Sequence, residues 1–103
     1  MPPWADGPGV VFIARTADEL SVVCASARVP ADVQAEHGWR ALELHGPFLF
    51  TQSGVLASVL KPLAEAEIPI FAVSTFDTDY VLVPERHLEA TVGVLRTAGH
   101  TVN

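Results

Sequence analysis

Positive charge is scarce in this chain. Six Lys and Arg residues stand against twelve Asp and Glu residues in a total of 103, which gives a formal net charge of −6. The basic residues form no cluster, whereas a nucleic-acid interface requires a concentrated cationic surface that faces the phosphate backbone. The composition therefore argues against nucleic acid as a partner.

Cysteine and long apolar runs are also nearly absent. Cys24 is the single cysteine, so the chain can form neither a disulfide framework nor a CxxC motif. The longest unbroken apolar run, residues 10–14, is far shorter than the about 20 residues of a membrane-spanning helix. The first residues do not resemble a signal peptide. We therefore expect a cytoplasmic protein with no membrane association.

The hydrophobic residues that are present suffice for one core. They make up 50% of the chain, which excludes intrinsic disorder. A compact chain of this length has a radius of gyration of about 13 Å, which accommodates one two-layer core. We expect residues 39–103 to form a complete domain and residues 1–38 to form a truncated segment that precedes it.

Four short stretches rich in β-branched and aromatic residues predict two hairpins. They cover residues 10–15 with 20–24, and residues 68–74 with 80–83. We further expect a helical turn within 31–37, a strand over 39–45 and a short final strand over 100–103.

Two amphipathic helices are predicted from apolar residues that recur with the helical period. The first is expected to begin at Ser53, whose hydroxyl can cap the free amides of the first turn. Pro62 removes a hydrogen bond inside this helix, at a cost of about 3 kcal/mol unless the helix bends, so we expect a kink near Ser58. The second helix opens at residues 85–87 and is closed by Gly99.

From residue 39 onward the predicted order is β-α-β-β-α-β, which is the ferredoxin-like α+β plan. A weak internal repeat precedes it. Phe12, Thr16, Asp18 and Val22 each stand 59 positions before an identical residue type, at Phe71, Thr75, Asp77 and Val81. The first hairpin therefore resembles the remnant of a second copy of the unit. Because an uncovered sheet edge is a liability for a monomer, we expect a homodimer.

The densest polar cluster, residues 74–79, follows the first strand of the second hairpin. Asp77 and Asp79 point the same way if this stretch is extended. Alternatively, the Asp and Thr side chains cap the backbone amides of an ordinary turn. A metal ion would need more oxygen ligands, and acid–base catalysis would need a partner group. We therefore expect neither a metal site nor a catalytic site, and no cofactor.

The connection from the first predicted strand to the first helix is the second candidate. Gly54 would let a ligand approach the main chain, and the free amides of a first helical turn attract anions. The alternative is an ordinary helix cap. If this helix start lies near Asp79, the two features together match the carboxylate and the ammonium group of an α-amino acid.

Three stretches of the sequence resemble the ACT domain family. They are residues 53–57 (SGVLA), 61–69 (KPLAEAEIP) and 74–83 (STFDTDYVLV). The resemblance is strongest to the branch that contains small bacterial ACT proteins and the animal cytosolic arginine sensors (CASTOR proteins). It implies ferredoxin-like units that pair side by side and hold a small effector, usually an amino acid, at the interface between units.

The resemblance also implies which residues contact the ligand. These are Gln52, Ser53, Gly54, Val55, Leu56, Thr75, Phe76 and Asp79, and the polar cluster adds Ser74 and Asp77. Leu20 stands in the first hairpin where the second has Asp79, so only the second is expected to carry a full acidic site.

The sequence thus predicts a non-catalytic regulatory domain that binds a small amino acid and works as a homodimer. The alternative is a ligand-free module for dimerisation or protein interaction.

Overall fold

A computed structural model describes residues 2–44 and 52–102, with the side chains of residues 52 and 53 left out of the description. The chain divides into two compact units, Met1–His37 and Gly38–Asn103.

The first unit is built on the predicted hairpin. Strand β1 (Phe12–Arg15) pairs antiparallel with strand β2 (Leu20–Val23), which confirms the prediction. Short 3-10 helices cover Pro3–Ala5 and Ser26–Arg28. Of the helical turn predicted near 31–37, the structure has a single hydrogen-bonded turn, in which the N–H of Val33 donates to the carbonyl of Pro30 at 3.1 Å. No helix forms, because residues 31–37 are all exposed and offer no apolar stripe to bury. A helix this short is unstable without such packing.

The second unit contains a three-stranded antiparallel sheet and two helices. In chain order they are β3 (Trp39–Glu43), helix α1 (Gln52–Glu65), β4 (Phe71–Ser74), β5 (Asp79–Pro84) and helix α2 (Leu88–Thr97), with a 3-10 turn over Glu85–His87 before α2. The strand order is β3-β5-β4. This arrangement confirms the ferredoxin-like α+β class.

The final strand predicted over 100–103 is wrong for the residues that are described, which are 100–102. Side-chain hydrogen bonds tie this segment to the helices instead of the sheet. The guanidinium of Arg96 donates to the carbonyl of Val102 at 2.8 Å. The ring of His100 bonds to the carbonyl of Ser58 in α1 at 2.9 Å. Strand β3 therefore remains an edge strand within the described part of the chain.

The core lies between β5 and the two helices. Its buried members come from both helices, from the sheet and from the connection after α1; they are Val59, Leu63, Ile68, Val81, Val83 and Leu95. Side chains alternate between the two faces of a strand, so Val81 and Val83 point together toward the helices. Strand β5 is central and hydrogen-bonds to a neighbour on each side.

The internal repeat is visible in the pairing of the two hairpins. Phe12 pairs with Val23 in the first hairpin, and Phe71 pairs with Leu82 in the second. The turns match as well, because the N–H of Thr16 donates to the carbonyl of Glu19 at 2.9 Å and that of Thr75 donates to the carbonyl of Thr78 at 2.7 Å. A shift of 59 positions therefore superimposes the register of one hairpin on the other.

Helix α1 begins at Gln52, one residue before the predicted cap Ser53, whose side chain lies outside the description. Pro62 lies inside the helix as predicted. Since proline has no N–H, it cannot donate to the carbonyl of Ser58 four residues earlier. Nε2 of His100 faces this carbonyl at 2.9 Å and must be the donor, because a carbonyl oxygen can only accept. The kink near Ser58 stays a prediction.

We expect His100→Ala to lower the free energy of unfolding by about 1 kcal/mol, because the Ser58 carbonyl loses a donor. In a Pro62→Ala background the loss should be smaller, since the substituted residue brings an N–H to the helix. Urea denaturation of the four proteins of this double-mutant cycle measures the coupling. His37→Ala, at an exposed site, is the control. Equal losses in the two backgrounds would contradict the coupling.

Helix α2 ends in the glycine motif that the sequence predicts. Gly99 has a φ of +97°, and its N–H donates to the carbonyl of Arg96 at 3.0 Å. The next N–H, from His100, donates to the carbonyl of Leu95 at 2.9 Å. These two bonds are those of a Schellman motif, which satisfies the last free carbonyls of a helix.

Two glycines of this region should respond to alanine with opposite signs. Gly99→Ala is expected to lower the free energy of unfolding by about 1 kcal/mol, because the left-handed conformation penalises a Cβ. Gly93→Ala, inside α2 with open space around the added Cβ, should raise it by up to about 1 kcal/mol through helix propensity. Urea denaturation checks both values. A stabilising Gly99→Ala would contradict this account.

Candidate functional site

Asp79 is the most unusual polar side chain in the described structure. It is only 3% exposed, and Thr91 is the other buried polar residue among those described. The hydroxyl of Thr91 is explained by its own helix, where it donates to the carbonyl of His87 at 2.8 Å. Asp79 instead lies at the first position of β5, directly after the turn that connects β4 to β5.

Both neighbouring strands hold Asp79 in place. Its cross-strand partner in β4 is Ser74, whose hydroxyl donates to Oδ1 of the Asp79 carboxylate. On the other side, the N–H of Leu44 donates to the carbonyl of Asp79 at 3.0 Å. A buried carboxylate is tolerated only when hydrogen bonds replace its lost water. Ser74 supplies one such bond and fixes the direction of the carboxylate.

Asp79 points to the face of the sheet that carries the helices. It is two residues before Val81, so the two side chains leave β5 on the same side. Val81 belongs to the core cluster together with Val59 and Leu63 of α1. The carboxylate and α1 therefore lie on one side of the sheet.

The connectivity also brings the start of α1 to the end of the sheet where Asp79 lies. Helix α1 ends at Glu65, and residues 66–70 lead directly to Phe71. Phe71 pairs with Leu82, at the end of the β4–β5 ladder away from Asp79. Since α1 ends near Phe71, its start lies toward the opposite end. The segment that joins β3 to α1 falls outside the described residues.

The turn between β4 and β5 contains the remaining residues of the polar cluster. Oγ1 of Thr75 accepts from the N–H of Thr78 at 3.1 Å, so Thr75 caps its own turn. Asp77 is exposed, and Phe76 is 96% exposed. The structure thus bonds Ser74 to Asp79 and leaves the side chains of Phe76 and Asp77 in solvent at the tip of the turn.

The candidates on α1 fall into three groups. Val55 is buried, and Leu56 packs against the core, so both side chains serve the fold. Gln52 and Ser53 begin the helix, but their side chains lie outside the description. Gly54 is exposed and borders a groove on the helical layer, lined also by Ala57, Ser58, Lys61, Pro62, Glu65 and Ala98. None of the residues of the β4–β5 turn lines this groove.

Sequence reasoning missed two contacts, one to Asp79 and one to α1. The N–H of Leu44 extends the β3–β5 hydrogen bonding to Asp79. This contact could have been predicted, because Leu44 lies in the strand predicted over 39–45. The His100 ring, bonded to α1, had no signal in the sequence, because the contact joins residues far apart in the chain.

Over 2–44 and 52–102, no three His, Cys, Asp or Glu side chains come together as a metal site would require. In the same ranges no helix combines the length and the apolar character needed to cross a membrane.

Comparison with known proteins adds several similarities. Subunit 1 of the cytosolic arginine sensor for mTORC1 is 37% identical over 59 residues in Homo sapiens and in Bos taurus, and 34% identical in Mus musculus. The match covers 56% of this chain and 18% of the sensor. The chain thus spans less than a fifth of the length of these relatives. A crystal structure of an Agobacterium tumefaciens protein is also similar, with a TM-score of 0.94 and 48% identity. That match covers 100% of this chain and 77% of the other.

Family models match both units of the chain. A model of an N-terminal domain matches residues 1–32, which contain the β1–β2 hairpin. A model described as an ACT domain matches residues 34–97, which include the sheet and both helices of the second unit. This match extends over more than half of the sequence and agrees with the ferredoxin-like fold, so the chain belongs to the ACT domain family.

Proposed function

We propose that the chain is a non-catalytic regulatory domain that binds a small α-amino acid at an interface between ACT units. The observation that carries the proposal is the buried Asp79 carboxylate, which lies on the helical side of the sheet at the end toward which α1 starts. The proposed site combines this carboxylate with the first turn of α1.

The two ends of the site have complementary chemistry. The first turn of α1 carries the partial positive charge of the helix dipole. This partial charge suits the carboxylate of an amino acid. The Asp79 carboxylate suits the ammonium group, through a charge-assisted hydrogen bond. A ligand of about ten non-hydrogen atoms, at about 0.5–0.8 kcal/mol each, binds with a Kd of about 1–200 μM.

Ser74 has a positioning role in this proposal. Its hydroxyl bonds to Oδ1 of Asp79 and turns the carboxylate before any ligand arrives. Thr75, Phe76 and Asp77 follow in the same turn, so they could close over a bound molecule. The fully exposed ring of Phe76 is the apolar group available for such a contact.

One acidic site per chain follows from the comparison of the two hairpins. The position equivalent to Asp79 in the first hairpin is Leu20, and the position equivalent to Ser74 is Arg15. The first hairpin therefore lacks both the carboxylate and the hydroxyl. We propose that the chain works in the cytoplasm as a homodimer, in which ACT units of two chains meet beside the site.

The similarity to the cytosolic arginine sensors supports an amino-acid ligand and a regulatory role. It does not specify arginine for this chain, since Gln52 is neutral where a site for a cationic side chain could use an acid. The effector is therefore proposed only as a small α-amino acid.

A ligand-free module for homodimerisation or protein interaction is the second candidate. The observation that favours it is again Phe76, because a phenyl ring that is 96% exposed is suited to burial against a partner. Under this alternative, Asp79 and Ser74 have a purely structural role.

Calorimetric titration with each of the twenty amino acids separates the two candidates. We expect at least one of them to bind with a Kd of about 1–200 μM, and its des-amino and amide analogues to bind at least tenfold more weakly. Each analogue removes one of the two charges that the site is proposed to hold. If a folded protein binds none of the twenty, the interaction module is favoured.

Asp79→Asn is expected to weaken binding of the amino acid at least tenfold, because it removes the charge that faces the ammonium group. Asp32→Asn is the matched control, since it makes the same chemical change at an exposed position in the first unit and should leave Kd within twofold. Titration calorimetry gives the values, and circular dichroism verifies the fold. Unchanged affinity in Asp79→Asn would remove this residue from the site.

A further inference from the structure

Arg28 holds its guanidinium group against the main chain of the first unit. It ends the 3-10 helix Ser26–Arg28 and is half-buried. Its Nη1 donates a hydrogen bond to the carbonyl of Pro8 at 2.8 Å. Gly7 lies directly against the guanidinium group, because a Cβ added at this position would stand 2.8 Å from Nη1 and 3.0 Å from Cζ. These contacts all join residues of the first unit.

The other two nitrogens of this guanidinium group have no acceptor. Nε and Nη2 of Arg28 are buried, and within residues 2–44 and 52–102 they are the only buried side-chain nitrogen or oxygen atoms without a hydrogen-bond partner. The ion pair in the same ranges joins Arg40 to Glu85, so no described carboxylate neutralises Arg28. Arginine stays protonated in proteins. Two charged N–H groups therefore lack the acceptor that their burial requires.

The two unpaired N–H groups lie on the same edge of the guanidinium plane. Nη1, on the Cδ side, is engaged by Pro8. Nε–H and Nη2–H lie parallel to each other on the opposite edge and form a rigid fork. The spacing of this fork matches the two oxygens of a carboxylate, each of which accepts one hydrogen bond. A main-chain carbonyl has one oxygen and no net charge, so it cannot satisfy the whole edge.

We propose that the Nε–Nη2 edge of Arg28 binds a small organic carboxylate. The anion accepts one hydrogen bond from each nitrogen, while Nη1 keeps its bond to Pro8. Its single negative charge balances the guanidinium charge. A phosphate dianion would bring more charge than one arginine neutralises, into a chain whose net charge is already −6. This site uses none of the residues of the proposed amino-acid site and does not depend on it.

Glycines stand where the segment against Arg28 has to move. Gly7 and Gly9 flank Pro8. Gly9 has a φ of +94°, and an added Cβ there would meet no atom within 4 Å. Its conformation, rather than crowding, therefore requires glycine. Because Nε and Nη2 are buried, the carboxylate reaches them when the backbone of residues 7–9 rotates at these two glycines.

Sodium acetate is the probe, titrated into the full chain at constant ionic strength with sodium chloride as the balancing salt. The arginine Nε–H resonances are followed by NMR, and the one that disappears in Arg28→Lys is assigned to Arg28. We expect this resonance to shift saturably with a Kd of about 1 mM, which a ligand of about four non-hydrogen atoms can reach. Acetamide has the same shape without the charge and should bind at least tenfold more weakly. This comparison uses the unaltered protein.

Two variants locate the binding, with the backbone amide resonances of Gly7 and Gly9 as the readout. Arg28→Lys keeps the charge but loses the fork, so it should bind acetate at least tenfold more weakly. Arg15→Lys makes the same change at an exposed position of the first unit and should leave Kd within twofold.

The proposal is overturned if the Arg28 resonance shows no saturable shift up to about 100 mM acetate, a concentration far above the expected Kd. Equal affinity for acetate and acetamide, or unchanged affinity in Arg28→Lys, overturns it as well. So does tighter binding of inorganic phosphate than of acetate, because the edge then does not select a carboxylate.

Discussion

Strand β5 is the constraint on which the second unit depends. It hydrogen-bonds to β3 on one side and to β4 on the other, and Val81 and Val83 are fully buried on its helical side. A strand in this position cannot shift by one residue, because every side chain would change face. The same register that buries the two valines also buries Asp79 at the start of the strand. Core packing therefore determines where the carboxylate lies. Hydrogen bonds within the protein offset the free energy lost when the carboxylate is removed from water.

The two hairpins illustrate how one backbone arrangement can support different surfaces. Their pairing and turn hydrogen bonds coincide after a shift of 59 positions, yet the residues at the strand ends have diverged. Ser74 and Asp79 form a polar pair in the second hairpin, whereas Arg15 and Leu20 stand opposite each other in the first. A shared register fixes where side chains point, and the residue types then decide whether that position holds a buried carboxylate, as at Asp79, or an exposed apolar side chain, as at Leu20.

Much of the fold was predictable because its signals are local. Both hairpins, both helices and the end of α2 at Gly99 follow from periodicity and from turn or cap residues within a few positions. The features that the sequence could not predict depend on contacts between residues far apart in the chain. The strand expected near residue 100 is replaced by bonds from side chains distant in sequence. Sequence spacing also could not distinguish Asp77 from Asp79, because the exposure of one and the burial of the other depend on which residue begins the ladder with Ser74.

The hydrogen bond between His100 and Ser58 connects the segment after α2 to the middle of α1. Ordinarily, a segment that follows the last helix can fray without affecting the rest of a domain. Here, detachment of the imidazole would leave a carbonyl in α1 that Pro62 cannot satisfy. Opening of this segment and loosening of the helix are thus energetically linked, so the two regions should behave as one cooperative unit in hydrogen exchange, although they are far apart in sequence.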